Sequence, residues 1–142
     1  MKLEEINNEI EKDSKVSDKL DNEALKIPYI YGKWINIHSM EKAYLIKYNR
    51  DKDKMVFWKT DYYKGISNEE YKDGKISPIK YNTNAEKASA LAGDTEILDL
   101  IQKVELQKVK IETIEYFLKA IHSMGFNIQT AIKYQMWING SG

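Results

Sequence analysis

Nine consecutive residues, Phe57-Trp58-Lys59-Thr60-Asp61-Tyr62-Tyr63-Lys64-Gly65, hold the densest chemistry of the chain, four aromatics and two lysines closed by a glycine. Aromatic faces stack on unpaired bases and ammonium groups neutralise phosphates, so these residue types suit a single-stranded nucleic acid. The same types suit a helix end whose aromatics are buried, because Tyr and Trp bury readily once their polar atoms find partners. The preceding residues favour the first reading. Lys47, Arg50, Lys54, Phe57, Asp61 and Lys64 step by three and four, which places them on one helix face. Bases flanking an aromatic along that line make a phosphate track with a stacking group in it. The candidate strand contacts are therefore Lys47, Arg50, Lys54, Phe57, Trp58, Lys59, Tyr62, Tyr63 and Lys64.

Charge is distributed to match. The net formal charge is zero, yet residues 1–24 carry eight acids against four lysines and residues 25–64 carry nine bases against four acids. Residues 65–99 return to −3 and residues 100–142 to +2. A basic block of this kind is the electrostatic footprint of a nucleic-acid site, and an acidic first helix can mask part of it.

Other chemistries find little support. There is no cysteine, so no disulfide frame or thiolate metal site is possible, in keeping with a reducing cytoplasm. The two histidines, His38 and His122, lie on different predicted helices, and no glycine loop for phosphates is present. His38 reads as a helix-face residue with a local hydrogen bond. Pairs such as Glu4-Glu5 and Glu69-Glu70 point apart on a helix. No enzyme, metal or cofactor is expected. With no apolar run of spanning length and no signal region at Met1-Lys2-Leu3-Glu4-Glu5, the chain reads as a soluble cytosolic protein.

The elements that must position the track are helical. Proline occurs only at Pro28 and Pro78 and glycine is sparse. Leu3, Ile6 and Ile10 predict a short first helix ending near Ser14, and Asp18 or Asp21 could cap a second. Pro28 predicts a kink or a fresh start. From there to Tyr63, Ile30, Trp34, Ile37, Tyr44 and Tyr48 mark one buried stripe on a long helix. Residues 66–93 read as an irregular linker, with an extended piece at Ile76–Tyr81 and a mobile stretch over 82–93.

Four heptads follow, with Ile97, Val104, Ile111 and Leu118 at one core position and Leu100, Gln107, Ile114 and Ile121 at the other. Ile101, Leu106, Val109 and Phe117 widen this face, which suits a bundle of more than two helices or packing against the amino-terminal half. Gly125 is expected to end the helix and Asn127 to cap a short terminal one. The fold class is all-α: a long amino-terminal helical segment kinked near Pro28, then a heptad helix and a short terminal helix forming an oligomeric bundle or ring. Residues 1–65 are expected to bind the strand and residues 94–142 to drive oligomerisation through the eight heptad positions.

Four blocks of the chain resemble, in order, the phage recombination mediator proteins of the UvsY type. They are Lys2-Leu3-Glu4-Glu5, Ile30-Tyr31-Gly32-Lys33-Trp34-Ile35-Asn36-Ile37-His38-Ser39, Lys59-Thr60-Asp61-Tyr62-Tyr63-Lys64-Gly65, and Ala120-Ile121-His122-Ser123-Met124-Gly125-Phe126 with Ile128, followed by a short helix and a small-residue terminus. The resemblance spans nearly the whole chain apart from residues 66–93. It implies a homo-oligomeric ring of about six or seven subunits, held by carboxy-terminal helices. It also implies single-stranded DNA binding, and the loading of a RecA-type recombinase onto strands covered by single-strand binding protein. DNA recombination, repair and replication in the cytoplasm of an infected bacterial host follow from the same resemblance. The family's basic DNA-contact motif falls on Val56-Phe57-Trp58-Lys59-Thr60, where Lys59 matches one basic position and Phe57 replaces the other. That leaves open a two-cation contact, completed by Lys54 or Lys64, or one cation beside an aromatic stack. The competing reading is a structural helical oligomer whose aromatics are core and which binds no nucleic acid.

Overall fold

The computed structural model describes residues 1–140, all of them in helices, turns and connections, with no strand among them. Two short helices, α1 (Leu3–Asp13) and α3 (Asn84–Ala92), accompany two very long ones, α2 (Leu20–Lys64) and α4 (Thr95–Ile138). A single 3₁₀ turn at Lys72–Gly74 lies in the connection from α2 to α3. The chain forms two compact units. The first comprises residues 1–43 and 109–142, the second residues 44–108. These units cut across the expected 1–65, 66–93 and 94–142 segments, because α2 and α4 each contribute to both.

In the first unit, Ile6, Ile30, Trp34, Ile114, Phe117 and Ile121 form a buried cluster, with Ile10, Ile27, Ile37, Leu118 and Met124 packed around it. Each such side chain contributes roughly 1.5–3 kcal/mol by leaving water. Trp34 is fully buried and meets Phe117 edge-to-face, with ring centroids 5.1 Å apart. Its indole Nε1 donates to Asp13 Oδ2 at 2.9 Å, so the polar atom of the largest core residue is satisfied. Lys33 reaches Glu9 at 2.9 Å and Asp13 at 2.8 Å, so the acidic first helix does neutralise a base of α2. His38 Nε2 lies 3.0 Å from Glu115 Oε1 on α4, a contact across the fold rather than a local one.

Several expectations are corrected here. Helix α2 starts at Leu20, with Asp21 and Glu23 in its first turn favouring the positive helix end, and continues through Pro28 without a fresh start. Of the expected stripe, Ile30 and Trp34 are buried and Ile37 and Tyr48 half-buried, but Tyr44 is exposed and stacks on Tyr48. Residues 76–81 form no strand, and residues 84–92, read as mobile, are helix α3, capped by the Thr83 hydroxyl accepting from the Glu86 amide.

Gly125 does not end the heptad helix, nor does Asn127 begin another, since α4 runs unbroken to Ile138. A Cβ on Gly125 would meet Ile27 Cγ2 at 3.4 Å, an ordinary contact distance, so the packing against α2 leaves room for a methyl group there. The small-residue terminus at Ser141 and Gly142 lies outside the described residues. Of the eight heptad positions, Ile97, Val104, Gln107, Ile111, Ile114 and Ile121 are buried within the chain and Leu100 and Leu118 are half-buried. Ile114, Ile121 and Leu118 pack in the cluster with Trp34. These heptad positions are thus buried or half-buried within the chain, and those of the first unit pack against the amino-terminal half, one of the two arrangements expected for this face. Left exposed on α4 are Leu98, Ile101, Leu106, Val109, Tyr116 and Phe126, and at its end Tyr134, Met136, Trp137 and Ile138. No helix among the described residues is long and apolar enough to cross a membrane.

Candidate nucleic-acid interface

The nine-residue block closes α2, and Gly65 explains where the helix stops. Gly65 takes a φ of +78°, and the Ile66 amide donates back to the Asp61 carbonyl at 2.9 Å. This wrap needs a left-handed residue just past the last turn, a conformation costly for a side chain with a Cβ. The returning loop then folds Tyr71 onto the helix.

That return divides the candidate residues into two groups. On the inner side, Trp58 stacks on Tyr71 with centroids 5.8 Å apart, and Tyr62 meets both Tyr63 and Tyr71 edge-on. Lys59 lies in the middle, only 4 % exposed. Its ammonium is 3.0 Å from Asp94 Oδ2 and 3.5 Å from Glu96 Oε1, and lies over the rings of Tyr62, Tyr71 and Tyr63. Burial is the largest influence on this ammonium and disfavours its charge. The nearby Tyr71 oxygen, the hydrogen bond to Asp94 and the Asp94 charge together outweigh it, so the pKa is raised above its ordinary value. The Tyr71 hydroxyl itself is buried without a hydrogen-bond partner of good geometry, so its help is that of a nearby dipole.

Asp94 is the other half of this arrangement. Its Oδ2 accepts from the Tyr63 hydroxyl, and its Oδ1 accepts from the Ile97 amide at 3.1 Å, capping α4. Burial pushes its pKa up, but the bonds from Tyr63, Lys59 and Ile97 overcome that and hold it below the ordinary carboxylate range. The Tyr63 hydroxyl is correspondingly pushed up, first by burial and then by its bond to Asp94. Lys59, Tyr62, Tyr63 and in large part Trp58 are therefore built into the fold, as the buried-aromatic reading expected for them. Lys59, expected among the strand contacts, is here buried and ion-paired to Asp94.

The outer side is different. Lys47, Arg50, Lys54, Phe57 and Lys64 are all exposed, and Phe57 is 62 % exposed, which removes it from the core. A groove of about 720 Å³ is lined by Ile46, Asn49, Arg50, Asp53, Lys54, Phe57, Trp58 and Glu70. It combines an apolar floor, aromatic rings and two cations with two carboxylates, and Asp53 is approached by Lys52 at 4.0 Å. Aromatic rings of this kind can take a base, and exposed cations such as Lys47, Arg50 and Lys54 can neutralise phosphates. No group of acids and histidines that could hold a metal ion is present among the described residues.

Two residues were missed in the sequence. Asp94 had a readable signal, an Asp one residue before Thr95-Glu96-Ile97 at a helix start. Tyr71 had none, since only the loop's return brings it to Lys59.

An all-helical fold bearing a basic, aromatic face on a long helix has the chemistry that suits a nucleic-acid-binding protein. Comparison with known proteins narrows this. The family described as "Recombination, repair and ssDNA binding protein UvsY" matches residues 9–141, and the chain belongs to that family. It is 28% identical over 130 residues to the "Recombination protein uvsY" of Enterobacteria phage T4, covering 91% of each chain. Two crystal structures of the bacteriophage T4 recombination mediator protein UvsY superpose closely. Lattice type II has a TM-score of 0.81 at 26% identity, covering 98% of both chains. Lattice type IV has a TM-score of 0.79 at 25% identity, covering 96% of this chain and 98% of that one.

Proposed function

We propose that this protein is a recombination mediator that binds single-stranded DNA and helps a RecA-type recombinase replace single-strand binding protein on it. The observation carrying this reading is the exposed face of α2, where Phe57 stands 62 % exposed between Arg50, Lys54 and Lys64. Cations at that spacing track a phosphate backbone, and an exposed ring between them offers a stacking surface to every base alike. Family membership and likeness to the T4 recombination mediator support the recombination role and single-stranded DNA binding, and the recombinase and single-strand binding protein are the partners we assign to that role. No catalytic role is assigned, and the site of action is the cytoplasm of an infected bacterial host.

Assembly into a closed homo-oligomer, about six or seven subunits as the family resemblance implies, would place many such faces on one strand at high effective concentration. The exposed apolar end of α4, with Tyr134, Met136, Trp137 and Ile138, is the surface we assign to that assembly in place of the heptad positions. Anisotropy of labelled oligo-dT tests the binding. Affinity should fall with salt at a log–log slope near −2 per subunit, for roughly three phosphates neutralised, and duplex should bind more weakly. A flat salt response or equal affinity for duplex overturns the reading in favour of a structural helical oligomer.

A further inference from the structure

Seven residues beyond Phe57 on α2, about 10 Å along the helix axis, lies a second groove that the sequence reading left within a linker. It holds about 320 Å³ between the end of α2 and helix α3, and its lining includes Thr60, Tyr63, Lys64, Asn84, Lys87 and Leu91. Two cations and no carboxylate line it, unlike the Phe57 groove with its Asp53 and Glu70. The polar groups of its α2 wall are already engaged, Thr60 donating to the Val56 carbonyl at 2.6 Å and Tyr63 to Asp94. The side chains of Lys64, Lys87 and Asn84, by contrast, make no hydrogen bond or ion pair among the described residues. Glu86, the acid of the same helix, is turned to the Asn82 amide at 2.9 Å and does not line the groove.

Two lysines in the lining of one groove, with no carboxylate in that lining, raise a local positive potential that an anion relieves. Lys64 continues the Arg50–Lys54–Phe57 face by one more step of seven, so an anion here belongs to the same strand that stacks on Phe57. We propose that Lys64 and Lys87, with Asn84 as a neutral donor, form a phosphodiester-binding site that receives the backbone of the single strand beyond Phe57. Helix α3 is then part of the binding surface, with Lys87 as its contact. This rests on the single-strand reading above and extends it.

The test is anisotropy of oligo-dT on the full chain across a salt series, for wild type, Lys87→Gln, Lys87→Arg, Arg50→Gln and Lys80→Gln. Loss of one phosphate contact should weaken binding roughly three- to five-fold at about 0.15 M salt and flatten the log–log slope by about 0.7 per subunit in Lys87→Gln. Lys87→Arg should restore both, and Lys80→Gln, in the exposed connection, should change neither. If Lys87→Gln matches wild type in affinity and slope while Arg50→Gln is weakened, this site is wrong and the single-strand reading stands. If wild type does not bind oligo-dT at all, that reading itself fails. Titration with inorganic phosphate at constant ionic strength supplies the remaining arm. Phosphate binding abolished by Lys87→Gln, with unchanged oligo-dT affinity, would make this a free-anion site and overturn the proposal.

Discussion

Lys59 and Asp94 meet at 3.0 Å with exposures of 4 % and 6 %, and each is held in place by aromatic residues of the same unit. The pair joins the last turns of α2 to the cap of α4. Lys59, at the centre of the aromatic block, is thus a fastening within the fold.

Removing one partner of that pair should unfold more than it unbinds. Lys59→Ala leaves Asp94 buried beside Tyr63 without its cation, and should lower stability by roughly 3 kcal/mol. Lys59→Met with Asp94→Asn, which removes both charges, should recover part of the loss. Thermal melts of the single and double variants check this, and a Lys59→Ala melt equal to wild type would show the pair to be dispensable.

The same pair sets a pH dependence with a defined sign. Asp94 and Asp13 are ionised more readily folded than unfolded, so their contribution is whole above the ordinary carboxylate value of 3.8 and is lost as pH falls through their lower folded values. Lys59 is raised above its ordinary 10.5, so its contribution is whole below that value and is lost only as pH climbs through the higher folded one. Melting temperature against pH should therefore be flat for these groups between about 5 and 10. The deficit of Asp94→Asn should narrow below pH 4 or so, and a deficit constant down to pH 2 or so would contradict this assignment.

Phe57→Ala separates binding from folding. The ring is 62 % exposed, so truncation should shift stability by no more than about 0.5 kcal/mol. If a base stacks there, affinity for oligo-dT should drop by roughly 1–3 kcal/mol, with the salt slope unchanged. Affinity equal to wild type would assign stacking elsewhere on the face.

Gly125→Ala should stabilise the protein. The position is interior to α4, where Ala is favoured over Gly by about 1 kcal/mol, and the added Cβ meets Ile27 Cγ2 at an ordinary contact distance of 3.4 Å. Gly125→Leu should reverse the sign by driving Ile27 aside. Paired denaturant melts decide the matter.

The helical class, the end of α2 at Gly65 and the buried places of Ile30 and Trp34 were legible because periodicity and a positive-φ stop are local signals. The reach of α4 was not legible. Gly125 and Asn127 spell a helix end locally, but α4 runs on through both and buries Ile128 beyond them, which only the folded chain shows. Helix α3 was hidden among Asn and Gly residues, although Thr83 and Glu86 form a capping pair around its start. The exposed track of Arg50, Lys54 and Phe57 was readable from spacing. The burial of Lys59 was not, because a lysine between aromatics looks the same whether a phosphate or the carboxylate of Asp94, thirty-five positions later, is its partner.

The Asp94 carboxylate serves three masters: the Lys59 ammonium, the Tyr63 hydroxyl and the Ile97 amide. The first turn of α4 is therefore not an independently fraying end. One of its amides, that of Ile97, is held by a carboxylate that the last turns of α2 fix in place, so these segments, far apart in sequence, are expected to open together. Native-state hydrogen exchange would see a single opening free energy across Ile97 and the Tyr62–Ile66 wrap, and a strand bound along α2 would slow exchange at the start of α4 without touching it.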